Sequence, residues 1–180
     1  MEKALIIVDV QKDYFEGGRN ELVGAKEATK KIKYLIDAFR AKNEPVIYVK
    51  HINNKPGATF FIAGTDGIEV SDLITPESTD LIVEKHSPNS FLGTSLQEHL
   101  VDMKIKKLVI CGMMTHMCID TTVRAAKGLE YEITVVEDAC ATKNLVWNGE
   151  IIPADYVQKI YMSSLNGSFA NICQAKEVIV

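Results

Sequence analysis

The chain has 180 residues, of which 47% are hydrophobic and 24% charged, and its formal net charge is −4. That length and balance describe one globular domain with a substantial core rather than a disordered, collagenous or disulfide-stapled chain. The 20 Lys and Arg residues are scattered along the sequence, which excludes a basic nucleic-acid footprint or a polybasic membrane face.

The first strand is expected over Ala4–Val8, a continuous apolar run that delivers Asp9 at its carboxyl end. This run is too short for a secretory h-region or a membrane span and no cleavage motif follows it, so a cytoplasmic protein without a membrane partner is expected. Asp13, Phe15, Gly17 and Gly18 form the next loop. A helix follows from Ala25 to Asn43, with Ala25, Ala28, Ile32, Leu35, Ile36 and Phe39 on one stripe, ending before Pro45. Val46–His51 reads as the second strand. From about 53 to 79 no period is sustained; the segment holds Pro56, Gly57, Gly64, Gly67 and Pro76 with exposed-looking Phe60 and Phe61, and is expected to be a lid-like loop.

Leu81–Glu84 reads as a third strand carrying Lys85 at its end, and a helix capped near Thr94 runs through Leu96, Leu100 and Met103. The fourth strand, Lys107–Gly112, turns at Gly112 into a helix with Ile119, Val123 and Ala126 on one face and Gly128 as its stop. Cys118 then falls at or near the first turn of a helix, where unpaired N–H groups and the helix dipole favour a thiolate. A fifth strand spans Glu132–Val136, Trp147-Asn148-Gly149 form a connector, and Pro153 opens a helix with Val157, Ile160, Tyr161 and Leu165 inward. Glu177–Val180 is the expected sixth strand. Strands alternating with helices predict an α/β three-layer sandwich around a mainly parallel six-stranded sheet. The four cysteines, Cys111, Cys118, Cys140 and Cys173, form no CxxC pair and should be thiols, three of them packing residues. No glycine-rich phosphate fingerprint is present, so nucleotide binding has no support.

Asp9, Lys85 and Cys118 stand at or just beyond the carboxyl ends of strands one, three and four, and right-handed crossovers bring those ends to one edge of the sheet. Separately they are a cap, a solvated cation and buried bulk. Together they offer a base, a fixed cation and a nucleophile.

The segments Ile7-Val-Asp9-Val-Gln11-Lys-Asp13-Tyr-Phe15, Lys85 with Phe91 and Thr94 downstream, and Gly112-Met-Met-Thr115-His-Met-Cys118 resemble the isochorismatase-like cysteine hydrolases, relatives of nicotinamidase and N-carbamoylsarcosine amidohydrolase. The resemblance covers nearly the whole chain, 1–180, as a single domain with Rossmann-like topology. It implies an Asp9–Lys85–Cys118 triad, a cis peptide between Met113 and Met114, and an oxyanion hole from the Met114 and Cys118 N–H groups. It also implies a homodimer or homotetramer. Nicotinamidases carry an Asp-x-His pair and a further His around a metal; the corresponding region here has only His51, so neither a metal nor a cofactor is expected. Candidate substrate-binding residues are Gln11, Phe15, His51, Phe61, Phe91, His116 and Trp147. The reading is a metal-independent hydrolase of a small amide, ureido or lactam bond. Its alternatives are an isochorismatase-type hydrolase of a non-amide bond and a non-catalytic, redox-responsive thiol protein.

Overall fold

The strand β1 (Lys3–Val8) lies in the middle of the sheet, and Ala4 to Val8 are all buried. Its side chains alternate between two cores: Leu5 and Ile7 join one, Ala4, Ile6 and Val8 the other. A strand covered on both faces must be apolar at every position, which is why this run shows no polar alternation. The computed structural model describes residues 2–178. In chain order, β1 is followed by α1 (Ala25–Ala41), β2 (Val46–His51), β3 (Leu81–Lys85), α2 (Leu96–Asp102), β4 (Lys107–Met113), α3 (Asp120–Gly128) and β5 (Glu132–Ala141). Then come β6 (Leu145–Trp147), β7 (Glu150–Ile152), α4 (Ala154–Leu165), β8 (Asn171–Cys173) and α5 (Ala175–Val178).

The main sheet has six strands in the order β3-β2-β1-β4-β5-β8, and every ladder is parallel. The chain builds outward from β1 through β2 and β3, then returns to lay β4 on the other side of β1. That reversal opens a crevice at the carboxyl ends of β1 and β4, where open α/β sheets bind ligands. The amphipathic stripe of α1 (Ala25, Ala28, Ile32, Leu35, Ile36, Phe39) and Ala175 of α5 fill the first core. Leu96 and Leu100 of α2, Val123 and Ala126 of α3, and Met162 and Leu165 of α4 fill the second. The result is the three-layer α/β sandwich expected from strand–helix alternation.

Four expectations need correction. The sixth strand is Asn171–Cys173, and Ala175–Val178 is a helical turn; Ile179 and Val180 lie outside the described residues. Three sheet residues after Asn166-Gly167 are too few to carry a readable pattern. The helix after Cys118 continues through Gly128, and the reversal falls at Glu130, whose φ is 66°. Trp147-Asn148-Gly149 is not a simple connector: Trp147 ends β6, paired with Glu150, and Asn148-Gly149 is the turn of the antiparallel β6–β7 hairpin at φ 49° and 81°, the two positive angles a type I′ turn requires. Ile160 faces outward and is exposed, leaving Ala154, Val157, Met162 and Leu165 as the buried face of α4.

The 53–79 segment is anchored rather than loose. Phe61 is fully buried against Tyr14 and Phe60, with ring centroids 4.6 and 5.0 Å away, so its exposed look in the sequence was misleading. Its backbone stands at φ 54°, which costs a bulky residue about 1–3 kcal/mol. The Asp13 carboxylate holds it there, accepting the Phe61 N–H at 2.6 Å. A Cβ on Gly67 would fall 2.3 Å from that carboxylate, so only glycine lets the loop close over Asp13.

Candidate active site

Asp9 follows β1 at φ 53°, a left-handed turn that Asp tolerates better than most residues. The turn is fixed by Asp9 N–H donating to the Val49 carbonyl at 2.9 Å and by the Gln11 N–H donating to the Asp9 carbonyl at 3.0 Å. On the other side of the crevice β4 must approach β1 closely. Gly112 pairs with Val8 at φ 122°, and a Cβ there would lie 2.1 Å from the Val8 carbonyl oxygen. The β4–β5 ladder shifts register between Ile110 and Gly112. The next peptide, Met113–Met114, is cis. Cys118 then sits in a single π-helical turn, Thr115–Ile119, that leads into α3; such turns recur at functional sites. Thr115 donates its hydroxyl to the Gln158 side-chain oxygen at 2.6 Å, and Gln158 donates to the Glu137 carbonyl at 3.0 Å. This ties α4 to the turn.

The strand ends bring Asp9, Lys85 and Cys118 together. The Lys85 ammonium is 2.8 Å from Asp9 Oδ2 and 3.2 Å from Cys118 Sγ. It also meets His51 Nδ1 at 3.0 Å and the Ser87 carbonyl at 2.9 Å. An ammonium has only protons to give, so His51 Nδ1 must be an acceptor and the imidazole carries its proton on Nε2. Lys85 thus offers three protons to four acceptors. Asp9 and Lys85 are fully buried and Cys118 is 4% exposed. Asp9 Oδ2 meets Lys85 as an ion pair rather than a directed hydrogen bond, and Oδ1 has no hydrogen-bond partner among the described residues. A buried carboxylate oxygen without a donor is a ready proton acceptor.

Protonation states follow from the surroundings. Burial pushes the Asp9 carboxyl up, but the Lys85 ammonium and then His51 outweigh it, so Asp9 is held below the usual carboxylate range. Burial works against the Lys85 charge, and Asp9 and then Cys118 overcome it, so the ammonium persists above its ordinary range. Burial and then Asp9 raise Cys118, and Lys85 offsets only part of this. The resting site therefore holds a carboxylate, an ammonium and a neutral thiol. This corrects the thiolate expected from the helix terminus alone: Asp9 and Lys85 already cancel, and a thiolate would leave one unbalanced buried charge.

The described residues contain one group close enough to share a metal ion, Asp9, His51 and Cys118, whose ligand atoms lie within 4.8 Å of one another. Lys85 contacts all three at 2.8, 3.0 and 3.2 Å. An ammonium already stands where the ion would, so this donor set does not suit a metal.

The substrate-binding candidates separate on inspection. His51 touches the triad, and its ring is 5.9 Å from that of Phe61. Gln11 is buried and fully committed: its amide donates to the His51 and Ile68 carbonyls at 2.9 and 2.8 Å and accepts the His51 N–H at 2.7 Å. These bonds position His51. His116 bonds Thr142 Oγ1 at 2.6 Å and packs edge-on to Tyr161. Phe91 stacks on Tyr131 and packs against the second core, the cluster to which Cys118 belongs. Trp147 is 71% exposed on the β6–β7 hairpin. Phe15 lines a cavity of about 850 Å³ between Lys12, Gly24 and Leu73, whose lining does not include Asp9, Lys85 or Cys118. The convergent chemistry lies outside that cavity. Asp13, Asn20, Lys143 and Gln158 were not singled out from the sequence as site residues. Asp13 had a signal, a second carboxylate four positions after Asp9; the others depend on contacts between distant segments.

The Isochorismatase domain family matches residues 3–176. The isochorismatase family protein YddQ of Bacillus subtilis is 41% identical over 172 residues, covering 96% of each chain. An isochorismatase structure from Pseudomonas putida superposes with a TM-score of 0.92 at 34% identity, covering 98% of this chain and 89% of that one. N-carbamoylsarcosine amidase from Thermoplasma acidophilum gives a TM-score of 0.78 at 30% identity, covering 97% of each.

Proposed function

The chain belongs to the isochorismatase family of hydrolases, and from that premise we propose that it cleaves a small amide, ureido or lactam C–N bond through a Cys118-bound acyl intermediate, without a metal. The observation that carries this reading is one buried ammonium, Lys85, in contact with both Asp9 Oδ2 at 2.8 Å and Cys118 Sγ at 3.2 Å.

In the proposed reaction Asp9 removes the Cys118 proton as Sγ attacks the carbonyl carbon. Because the resting thiol is raised and the carboxylate lowered, proton transfer ahead of attack is uphill. Transfer concerted with S–C bond formation moves the negative charge onto the carbonyl oxygen instead. The N–H groups of Met114 and Cys118 are the donors assigned to that oxyanion, and such groups typically contribute about 2.7–4 kcal/mol each. Asp9 then returns its proton to the departing nitrogen as the C–N bond breaks. Water, deprotonated by the same carboxylate, attacks the thioester, releasing the acid and restoring the thiol. Lys85 keeps Asp9 ionised and in place and balances charge on sulfur.

The amidase name carried by the Thermoplasma relative supports an amide or ureido bond, and a thiol nucleophile suits a carbonyl better than an enol ether. The test is ammonia or amine release across a panel of amides, ureido compounds and lactams, with acyl-enzyme mass measured on acid quenching. Turnover with a Cys118-linked adduct supports the proposal; a Cys118→Ala variant that keeps full activity ends it. A homodimer or homotetramer belongs to the same reading, supported by exposed Val146, Trp147, Ile151, Tyr156 and Ile160 on the hairpin and α4. Sedimentation of a monomer at micromolar concentration would overturn it.

A further inference from the structure

Beside the turn that holds Cys118, the loop that follows β5 carries a cation, Lys143, hydrogen-bonded to a neutral amide. Lys143 Nζ donates to the side-chain oxygen of Asn20 at 2.9 Å, across 123 positions of sequence. No carboxylate lies within ion-pairing distance of it among the described residues. The same Asn20 turns its amide nitrogen toward Met114 Sδ, 4.0 Å away. Met114 begins the turn that holds Cys118, and its carbonyl accepts the N–H groups of Met117 and Ile119. On the other side, Thr142 bonds His116 at 2.6 Å, and the Thr142 carbonyl accepts the Val23 N–H at 3.0 Å. The Lys143 backbone is therefore clamped between the Asn20–Val23 segment and the nucleophile turn.

Immobilising a lysine is costly, because its side chain gives up close to the largest rotamer entropy of any residue. Here the partner is a neutral amide, so the ammonium keeps its whole charge for an incoming group. The nearest titratable groups on the triad side do not add to it: Asp9 and Lys85 neutralise each other, and His116 is kept neutral by burial and then by Lys143 itself. Lys143 thus offers a positive charge beside the Cys118 turn, next to an electrically balanced Asp9–Lys85 pair.

We propose that Lys143, oriented by Asn20, is a substrate-binding residue that selects amides or ureido compounds bearing one carboxylate. The inference rests on the amide-hydrolase reading for the word substrate, but the charge selection at Cys118 can be measured without turnover. Iodoacetate and iodoacetamide form the same thioether bond from sulfur to carbon with loss of iodide, and they differ in a carboxylate against a neutral amide. The rates at which each alkylates Cys118, read by peptide mass and normalised to free cysteine, give a charge preference. That ratio is expected to fall roughly five- to tenfold in Lys143→Met, to survive in Lys143→Arg, and to shrink in the parent protein at high salt. Asn20→Ala should lower it part of the way. An unchanged ratio in a folded Lys143→Met overturns the proposal. If the ratio falls but no amide is turned over, the anion site stands and the hydrolase reading fails. If neutral amides are turned over and the ratio does not move, the reverse holds.

Discussion

Replacing Asp9 with Asn should make Cys118 more reactive toward an alkylating agent while stopping turnover, and these opposite effects follow from the charges at the site. In the parent protein the thiol is kept neutral by burial and by the Asp9 carboxylate, with Lys85 pulling the other way. The variant removes the carboxylate and leaves the ammonium, 3.2 Å from sulfur, as the only charge nearby. Asp9 and Cys118 ligand atoms lie within 4.8 Å, and a unit charge at about that distance in an effective dielectric of about 20 is worth roughly 3.5 kcal/mol. That corresponds to about a 300-fold larger thiolate fraction at a given pH. Nucleophilicity falls as the thiol becomes more acidic, by somewhat under half on a logarithmic scale, so iodoacetamide labelling at neutral pH should speed up roughly 20-fold. The rate is followed at the Cys118 peptide, which separates it from Cys111, Cys140 and Cys173, and thiolate absorbance gives an independent reading. Unchanged or slower labelling in a folded Asp9→Asn protein would refute the charge argument. It would mean that Cys118 is already a thiolate, or that Asp9 does not act on it.

Gly112→Ala sets a Cβ 2.1 Å from the Val8 carbonyl oxygen at φ 122°; a loss of about 3 kcal/mol or more in urea unfolding is expected, together with loss of activity, since β1 and β4 carry Asp9 and Cys118. Gln11→Leu removes three hydrogen bonds that span β2 and the 53–79 loop, leaving backbone groups of His51 and Ile68 unpaired at a cost of about 2–4 kcal/mol, and lowering turnover by loosening His51. Stability should also fall at high pH under reducing conditions. Burial keeps Cys140 protonated up to about 12, whereas unfolded thiols ionise near about 8.5, so above that point the unfolded chain binds fewer protons and is favoured. Cys140 alone should contribute a loss of about 1.4 kcal/mol per pH unit until its folded value is reached. Lys85, raised in the folded state, adds to this loss as pH passes its folded value. Asp9, lowered in the folded state, acts at the other end, its contribution disappearing as pH falls below the ordinary carboxylate range. Urea midpoints that stay level from about pH 8 to about pH 10.5 would contradict the alkaline arm.

The parts of the fold that could be read from the sequence were those where one rule dominated. Ala4–Val8 can only be a strand covered on both faces, and α1 shows its stripe without interruption. Asp9, Lys85 and Cys118 could be grouped because a parallel sheet aligns the carboxyl ends of its strands, a regularity that needs no side-chain detail. The charge on Cys118 could not be read, because a helix terminus favours a thiolate and burial opposes it, and only coordinates give the depth and the distance to Asp9. The β6–β7 hairpin was signalled by Asn148-Gly149 between apolar residues, but at three residues per strand the alternation was too short to register. Gln11 looked like a ligand contact because a polar residue near a strand end has no visible partner in one dimension; its partners are 40 and 57 positions away. Lys143 and Asn20, 123 positions apart, were invisible for the same reason.

The crowding of acceptors around Lys85 bears on how the site responds when sulfur gains charge. Four oxygen, nitrogen and sulfur atoms already stand between 2.8 and 3.2 Å from one nitrogen, so one of them is always short of a proton. When Cys118 becomes anionic, the ammonium needs only to redirect an N–H from the imidazole or from the Ser87 carbonyl, a rotation about its own bond with no heavy atom displaced. Water around a free thiol would have to reorient many molecules for the same event. The polarisation that the reaction demands is in this way largely laid down at the folding step, and the frustrated geometry of one lysine becomes a saving in reorganisation energy.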